Sequence, residues 1–167
     1  GYVGLVTAVC LSDAGHPVTC IDKDEDKIRL LREGIPPIYE PGLNELLLKN
    51  RHLLRFTTDA REAYEEADVI FICVGTPEKK DGSVNLQYIY TAAKEIAYFI
   101  KRDCIVVIKS TVPVGTNDKV EKLIRENLKN NAAVEVASNP EFLSQGTAVY
   151  DTLHAARIVL GVESKKA

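Results

Sequence analysis

The sequence has only a small excess of negative charge, with a formal net charge of -3 at pH 7, and it has no long apolar run and no cluster of metal ligands. Against 21 lysines and arginines stand 24 aspartates and glutamates, and because the signs are interspersed we expect neither nucleic acid nor a membrane as a partner. No apolar run approaches the roughly 20 residues of a membrane-spanning helix, and the first residues lack the pattern of a signal peptide. These absences favour a cytoplasmic protein.

The cysteines and histidines form no recognisable metal or catalytic motif. The three histidines are far apart and follow no ligand spacing, so no metal site is predicted. The cysteines contain no CxxC pair and lie in apolar stretches, which is typical of thiols that pack as small hydrophobic groups. Four buried free thiols are therefore predicted: Cys10, Cys20, Cys73 and Cys104.

Short runs rich in β-branched residues alternate with longer stretches of helical period. This rhythm predicts an α/β fold, a Rossmann-type doubly wound parallel sheet with helices on both faces. Strands are predicted at 18–22, 55–57, 68–74, 104–109, 134–137 and 157–162. Helices are predicted at 2–13, 25–32, 43–50, 60–66, 86–100 and 117–130. Residues 78–85, EKKDGSVN, are predicted to form a polar loop around a glycine-centred turn.

The chain opens directly on a predicted helix. Residues 1–4, GYVG, have no strand before them, although this class of fold has its first strand at the centre of the sheet. A sheet without that strand would leave unpaired backbone on two neighbouring strands. We therefore expect about ten further residues before Gly1, an apolar strand followed by Gly-x, which would complete a Gly-x-Gly-x-x-Gly turn.

Gly1, Gly4 and Asp22 have the spacing of a dinucleotide-binding motif. The two glycines would let backbone approach a pyrophosphate at a helix N-terminus, where N–H groups and the helix dipole favour an anion. Asp22 ends the next predicted strand, 18 residues after Gly4, where a carboxylate accepts hydrogen bonds from a ribose and disfavours the extra phosphate of NADP. The alternatives are a simple helix start and a solvated carboxylate; the spacing favours NAD.

Polar groups also follow three other predicted strands. The loops at 74–77 (VGTP) and 110–113 (STVP) carry hydroxyls that could reach a ribose, a nicotinamide or a water, or could equally form a turn or a helix cap. The segment at 138–146 (SNPEFLSQG) carries Glu141, which could act as a general acid or base or could start a helix. Open α/β sheets bind ligands at this edge, so these loops are candidates for one site.

The chain carries six motifs in this order: GYVGLVTA, VTCIDKDEDKI, IYEPGL, ADVIFICVGTP, KSTVPVGT and NPEFLSQGTAVYD. Together they resemble the NAD-binding domain of the UDP-glucose/GDP-mannose dehydrogenase family. Their order and spacing match across nearly the entire chain. The resemblance implies an NAD-dependent oxidoreductase of nucleotide-sugar metabolism and polysaccharide biosynthesis, in which a primary alcohol becomes a carboxylate and two NAD are reduced. KSTVPVGT favours UDP-glucose, oxidised to UDP-glucuronate, over GDP-mannose or UDP-N-acetylmannosamine. The resemblance also implies a homodimer or higher oligomer at full length.

The resemblance implies a role for individual residues. Residues that would contact NAD are Gly1, Tyr2, Val3, Gly4, Asp22, Lys27, Val74, Gly75, Thr76, Pro77, Ser110, Thr111 and Gln145. Residues that would contact the UDP-sugar are Glu141, Phe142, Leu143, Ser144 and Gln145. Thr111 would position the catalytic water, and Glu141 would transfer protons. Family members commonly carry Glu at the position of Gln145. Because an amide cannot ionise, Gln145 could form hydrogen bonds but could not act as a general acid or base, and any such role would fall to Glu141.

The resemblance places the reactive cysteine of the family elsewhere. In such enzymes an aldehyde is captured by a thiolate, oxidised to a thioester and hydrolysed, and the Cys, Lys and Asn involved come from later in the chain. Residues 1–167 are therefore expected to be an NAD-binding domain without the central helix and the C-terminal substrate domain, able to bind NAD without turnover. The alternative from another class is a non-catalytic nucleotide-sensing Rossmann module, which the sequence after Ala167 would distinguish.

Overall fold

The computed structural model describes residues 1–163, and in this range the α/β prediction is confirmed. All strand pairings between its five strands are parallel. The elements in chain order are α1 (Tyr2–Asp13), β1 (Val18–Ile21), α2 (Glu25–Arg32), α3 (Leu43–Lys49), a 3-10 turn (Arg51–Leu53), β2 (Leu54–Thr57), α4 (Ala60–Tyr64), β3 (Val69–Ile72), α5 (Gln87–Phe99), β4 (Cys104–Ile108), α6 (Thr116–Asn127), β5 (Val134–Ser138) and α7 (Ala148–Leu153).

The strands form two parallel sheets that belong to two compact units. The first unit comprises Gly1–Asp59 and Phe142–Arg157, and in it β1 pairs with β2 so that Val18 lies opposite Leu54. The second unit comprises Ala60–Glu141 and, among the described residues, 158–163. Its sheet has the order β3-β4-β5. The strand expected before Gly1 stays a prediction.

The core of the first unit is built around α1. This helix is apolar on most of its circumference, which predicts a helix covered on several sides, and it packs against β1, α3 and α7. Val6 and Val9 of α1 are fully buried, as is Leu43 at the start of α3. This packing fixes the N-terminal turn of α1, which carries the candidate pyrophosphate residues.

The core of the second unit surrounds β4. Its apolar sequence CIVVI suits a strand covered on both faces, and Val106 and Ile108 are buried. The apolar stripe of α5 is also buried: Ile89, Ala93, Ile96 and Ala97. The ends of β3 and β4 thereby hold the loops that begin at residues 74 and 110.

The predicted strand at 157–162 is wrong. The segment makes a single isolated antiparallel bridge, in which Ser138 and Gly161 exchange backbone hydrogen bonds of 2.8 Å. Ile158 and Leu160 are 74% and 62% exposed. β-branched residues favour a strand only where a neighbouring strand and a packed face accept them. Among residues 1–163 this segment pairs with β5 only at Gly161, and most of its apolar side chains are exposed.

Other boundaries differ by smaller amounts. Helices α1 and α2 have the predicted limits, whereas the helix predicted at 117–130 runs from Thr116 to Asn127 because Leu128 is extended, with ψ of 139°. Helix α7 was not predicted. The polar loop at 78–85 contains the expected turn, closed by a bridge between Glu78 and Val84 around Gly82, whose φ is +81°.

The prediction of four buried thiols is correct for two. Cys10 and Cys104 are buried, whereas Cys20 and Cys73 are half-buried, and none of the four forms a disulfide. Burial raises the pKa of Cys10, Cys73 and Cys104 to about 11. Among residues 1–163 we find no helix long and apolar enough to cross a membrane.

Candidate nucleotide-binding site

The N-terminal turn of α1 lies beside the end of β1. Gly1 is the N-cap residue of α1, and its backbone nitrogen lies 3.0 Å from Oδ2 of Asp22. Tyr2, Val3 and Gly4 form the first turn, which carries no acidic residue. Because the first N–H groups of a helix carry partial positive charge, this turn suits an anion. The structure thus brings the predicted pyrophosphate turn and the predicted ribose acceptor together.

Asp22 is held in its ionised form. Its burial disfavours ionisation, but hydrogen bonds from the backbone N–H of Asp24, at 3.1 Å, and from Gly1 outweigh this effect and lower the pKa of Asp22. The nearby positive charge of Lys27 acts in the same direction. The side chain is 25% exposed, so an accessible carboxylate lies at the end of β1.

Lys27 lies in the first turns of α2. Its Nζ is 3.2 Å from Oδ2 of Asp24, and that bond, together with the charge of Asp22, raises the pKa of Lys27. The backbone N–H of Lys27 donates to Oδ1 of Asp24, which caps the helix. The predicted basic residue is therefore close to Asp22, and its immediate partner is Asp24.

The loops after β3 and β4 are joined by hydroxyl groups. Oγ1 of Thr76 donates to the carbonyl of Thr111 at 3.1 Å, and Oγ of Ser110 donates to the carbonyl of Val74 at 2.7 Å. Within the second unit the structure therefore brings the two predicted loops together. These bonds give the hydroxyls of Thr76 and Ser110 a structural role, which was the alternative interpretation, while Gly75 and Pro77 are exposed.

Glu141 follows β5 in a segment anchored by Asn139. The side-chain amide of Asn139 donates to the carbonyl of Val159 at 2.9 Å, and its backbone N–H donates to Ile108 at 3.0 Å. Glu141 is half-buried. Burial raises the pKa of Cys73, and of the charges nearby that of Lys109 lowers it and that of Glu141 raises it. Lys109, Cys73 and Glu141 therefore form one electrostatic neighbourhood.

The segment Phe142–Gln145 belongs to the first unit, whereas Glu141 belongs to the second. Leu143 packs against the core of the first unit. Phe142 is 59% exposed, with the guanidinium of Arg157 5.3 Å from its ring centre. Ser144 and Gln145 are exposed, and the backbone N–H of Ser144 donates to Asp151 at 3.3 Å.

Comparison with known proteins decides the family. The model of the UDP-glucose/GDP-mannose dehydrogenase family, NAD binding domain, matches residues 1–167. The chain belongs to this family. It is an NAD-binding domain of Rossmann-like α/β fold, and its family consists of oxidoreductases.

Two curated relatives are named UDP-glucose 6-dehydrogenase. The relative YwqF from Bacillus subtilis is 56% identical over 99% of this chain, and that from Rhizobium meliloti is 52% identical over 98%. The chain spans 38% of the length of each relative.

Two solved structures are similar to the domain. A UDP-glucose dehydrogenase from Pyrobaculum islandicum has a TM-score of 0.95 at 40% identity, and a ternary complex of GDP-mannose dehydrogenase from Pseudomonas aeruginosa has a TM-score of 0.94 at 41%. Each match covers 99% of this chain and 40% of the solved chain.

The NAD-binding domain contains a buried carboxylate to which the sequence analysis assigned no role. Glu40 of the IYEPGL motif is 4% exposed. Its Oε2 accepts hydrogen bonds from the hydroxyl of Tyr2 at 2.6 Å and from the N–H of Gly146 at 2.8 Å, and its Oε1 accepts from the N–H of Ala148 at 2.7 Å. The hydroxyl of Tyr2 is the largest cause that lowers the pKa of Glu40, ahead of the backbone donors.

Lys109 is a second side chain for which no role was predicted. The motif KSTVPVGT was recognised, but its first residue was given no role. Nζ of Lys109 donates to Oδ1 of Asn139 at 3.1 Å. The signal that could have revealed both residues is a charged side chain inside an apolar or proline-bounded stretch, because a charge that becomes buried needs a specific partner.

Proposed function

We propose that this domain holds NAD in an enzyme that oxidises UDP-glucose to UDP-glucuronate, with two NAD reduced per turnover. The observation that carries the proposal is the 3.0 Å approach of Asp22 to Gly1 at the start of α1. The substrate is supported by the relatives that are named UDP-glucose 6-dehydrogenase, at 56% and 52% identity. Since the chain spans 38% of their length, the activity belongs to the proposal for the whole enzyme.

The residues at the end of β1 fit NAD. The first turn of α1 would accept the pyrophosphate through the backbone of Gly1, Tyr2, Val3 and Gly4. The ionised carboxylate of Asp22 would accept hydrogen bonds from the adenosine ribose and would repel the additional phosphate of NADP. Lys27 would lie near the adenosine end. Bound NAD supplies the hydride acceptor, and the chain binds and orients it.

The loops of the second unit would serve the nicotinamide end and the proton transfers. We assign the nicotinamide side to the 74–77 loop and to Ser110, and the positioning of the catalytic water to Thr111. Glu141 would carry protons, because it is half-buried and has the positive charge of Lys109 in its neighbourhood. The segment Phe142–Gln145 would contact the UDP-sugar through its backbone, with Gln145 limited to hydrogen bonding.

We propose that the covalent nucleophile is none of Cys10, Cys73 and Cys104, in agreement with the family resemblance, which places it later in the chain. A cysteine nucleophile reacts as the thiolate, whereas burial raises the pKa of Cys10, Cys73 and Cys104 to about 11. At neutral pH these three thiols stay protonated. The domain by itself is therefore proposed to bind NAD without completing the reaction.

The test is turnover by the full-length enzyme with three nucleotide sugars. We expect two NADH per UDP-glucose consumed, and much lower rates with GDP-mannose and UDP-N-acetylmannosamine. GDP-mannose is the second candidate because the domain is 41% identical to a GDP-mannose dehydrogenase of known structure. Turnover of GDP-mannose alone would contradict the proposed substrate. Binding of NAD without turnover of any of the three would favour the nucleotide-sensing alternative.

A further inference from the structure

One buried carboxylate joins two segments to which the proposed function assigns different ligands. Tyr2, whose hydroxyl lies 2.6 Å from Oε2 of Glu40, belongs to the turn assigned to NAD. Gly146, whose N–H lies 2.8 Å from the same oxygen, directly follows the segment assigned to the UDP-sugar. Both groups donate to Oε2 of Glu40. A displacement of the Tyr2 hydroxyl therefore disturbs the oxygen atom that also accepts the hydrogen bond from Gly146.

The carboxylate is itself held in place. The backbone carbonyl of Glu40 accepts from the N–H of Leu43 at 3.1 Å, and Leu43 is fully buried at the start of α3. Gly42, between them, has φ of +79°, a conformation that favours glycine. Hydrogen bonds to a buried charge are strong and directional. Glu40 is therefore a fixed point between two chain segments rather than a mobile side chain.

The segment that Glu40 holds, residues 144–147, is short and is also hydrogen-bonded to α7. The N–H of Thr147 donates to the carbonyl of Ser144 at 3.1 Å, and the hydroxyl of Thr147 donates to Asp151 at 2.8 Å. Gly146 has φ of +93°, and its N–H donates to Oε2 of Glu40. The link from Glu40 thus sets the position of residues 144–147 relative to α1.

We propose that Glu40 is a positioning residue that couples the binding of the dinucleotide to the binding of the sugar nucleotide. The inference rests on the proposed function, which assigns the two ligands to the two segments. A dinucleotide on the turn of α1 fixes Tyr2, Tyr2 fixes the Glu40 carboxylate, and the carboxylate holds the sugar-nucleotide segment through Gly146. Thermodynamic linkage requires the effect to be reciprocal.

The test measures this coupling in the full-length enzyme. NADH is used with UDP-glucose because neither can oxidise the other, so both can be present at equilibrium. Calorimetry gives the dissociation constant of NADH without and with saturating UDP-glucose. For the wild type we expect saturating UDP-glucose to lower the dissociation constant of NADH by about fivefold or more, a usual size for coupling between two binding sites. The coupling ratio is the dissociation constant of NADH without UDP-glucose divided by the constant with UDP-glucose. For Tyr2→Phe and Glu40→Gln we expect this coupling ratio to fall to near one.

Two neighbouring side chains provide matched controls. Tyr39→Phe and Glu45→Gln make the same chemical changes at exposed positions close to Glu40 in the sequence. Both variants should keep the coupling ratio of the wild type. Tyr2→Phe removes a single oxygen atom, so it decides the question if Glu40→Gln does not fold. A wild-type ratio of one, or a folded Tyr2→Phe with the wild-type ratio, would overturn the coupling. Failure of the wild type to bind either ligand would overturn the proposed function as well.

Discussion

Nζ of Lys109, directly after β4, donates a hydrogen bond of 3.1 Å to Oδ1 of Asn139, directly after β5. This contact spans two adjacent strand ends of the second unit and anchors the segment that leads to Glu141. Asn139 in turn donates to Val159 at 2.9 Å. A single cation therefore helps to fix the backbone that carries the proposed proton-transfer group.

Replacement of this cation should disturb catalysis more than cofactor binding. We expect Lys109→Met to lower kcat of the full-length enzyme by about tenfold or more, since about 1.4 kcal/mol of lost transition-state stabilisation has that effect. The dissociation constant of NAD should change by less than about threefold. Lys94→Met, at an exposed site on α5, is the control. Equal losses in kcat and in NAD affinity would assign Lys109 to the cofactor site instead.

The order of elements followed from the sequence, because periodicity reports local burial. The apolar run of α1 and the alternation of α2 gave their limits, and the rule that parallel strands end at one edge brought Thr76 and Thr111 into the same predicted site. Hydrogen bonds between residues that are remote in the sequence could not be predicted from periodicity. Glu40 receives donors 38, 106 and 108 positions away. Helix α7, whose first N–H groups meet Glu40, was missed for this reason.

Glu141→Gln tests the proposed proton transfer. The amide keeps the size of the side chain but cannot gain or lose a proton, and general acid–base catalysis typically contributes about a hundredfold or more. We expect kcat to fall by about that factor while the affinity for NAD stays within about twofold. Steady-state kinetics and calorimetry on the full-length enzyme check this. A fall in affinity as large as the fall in kcat would show that Glu141 only shapes the pocket.

The stability of the domain should depend on Glu40 at acid pH. Its folded-state pKa lies below the ordinary value of 4.5, chiefly because of the Tyr2 hydroxyl. Ionised Glu40 therefore contributes stability that is complete above pH 4.5 and is lost as the pH falls toward the folded-state pKa. Glu40→Gln should have a lower Tm at pH 7 and a shallower loss of Tm below pH 4.5. Circular dichroism melts across this range test it; parallel profiles of the two proteins would contradict it.

Three cysteines should resist alkylation in the native protein. With a pKa of about 11, the thiols of Cys10, Cys73 and Cys104 are each ionised in on the order of one molecule in ten thousand at pH 7. We expect iodoacetamide to label them slowly before denaturation and fully afterwards, as mass spectrometry of the digested protein would show. Cys73 is the critical case, because it is half-buried near Glu141. Rapid native labelling of Cys73 would contradict the assignment of these thiols as unreactive.

The affinity of the full-length enzyme for NAD after replacement of Asp22 tests the assignment of the dinucleotide site. Asp22→Ala removes the acceptor at the end of β1, so calorimetry should show NAD binding weakened by about 1.5–3 kcal/mol, the usual contribution of hydrogen bonds to a charged group. The control Asp26→Ala, four positions away with a side chain 85% exposed, should bind NAD like the wild type. An Asp22→Ala enzyme with wild-type affinity for NAD would contradict the assignment of this carboxylate and the α1 turn to the dinucleotide.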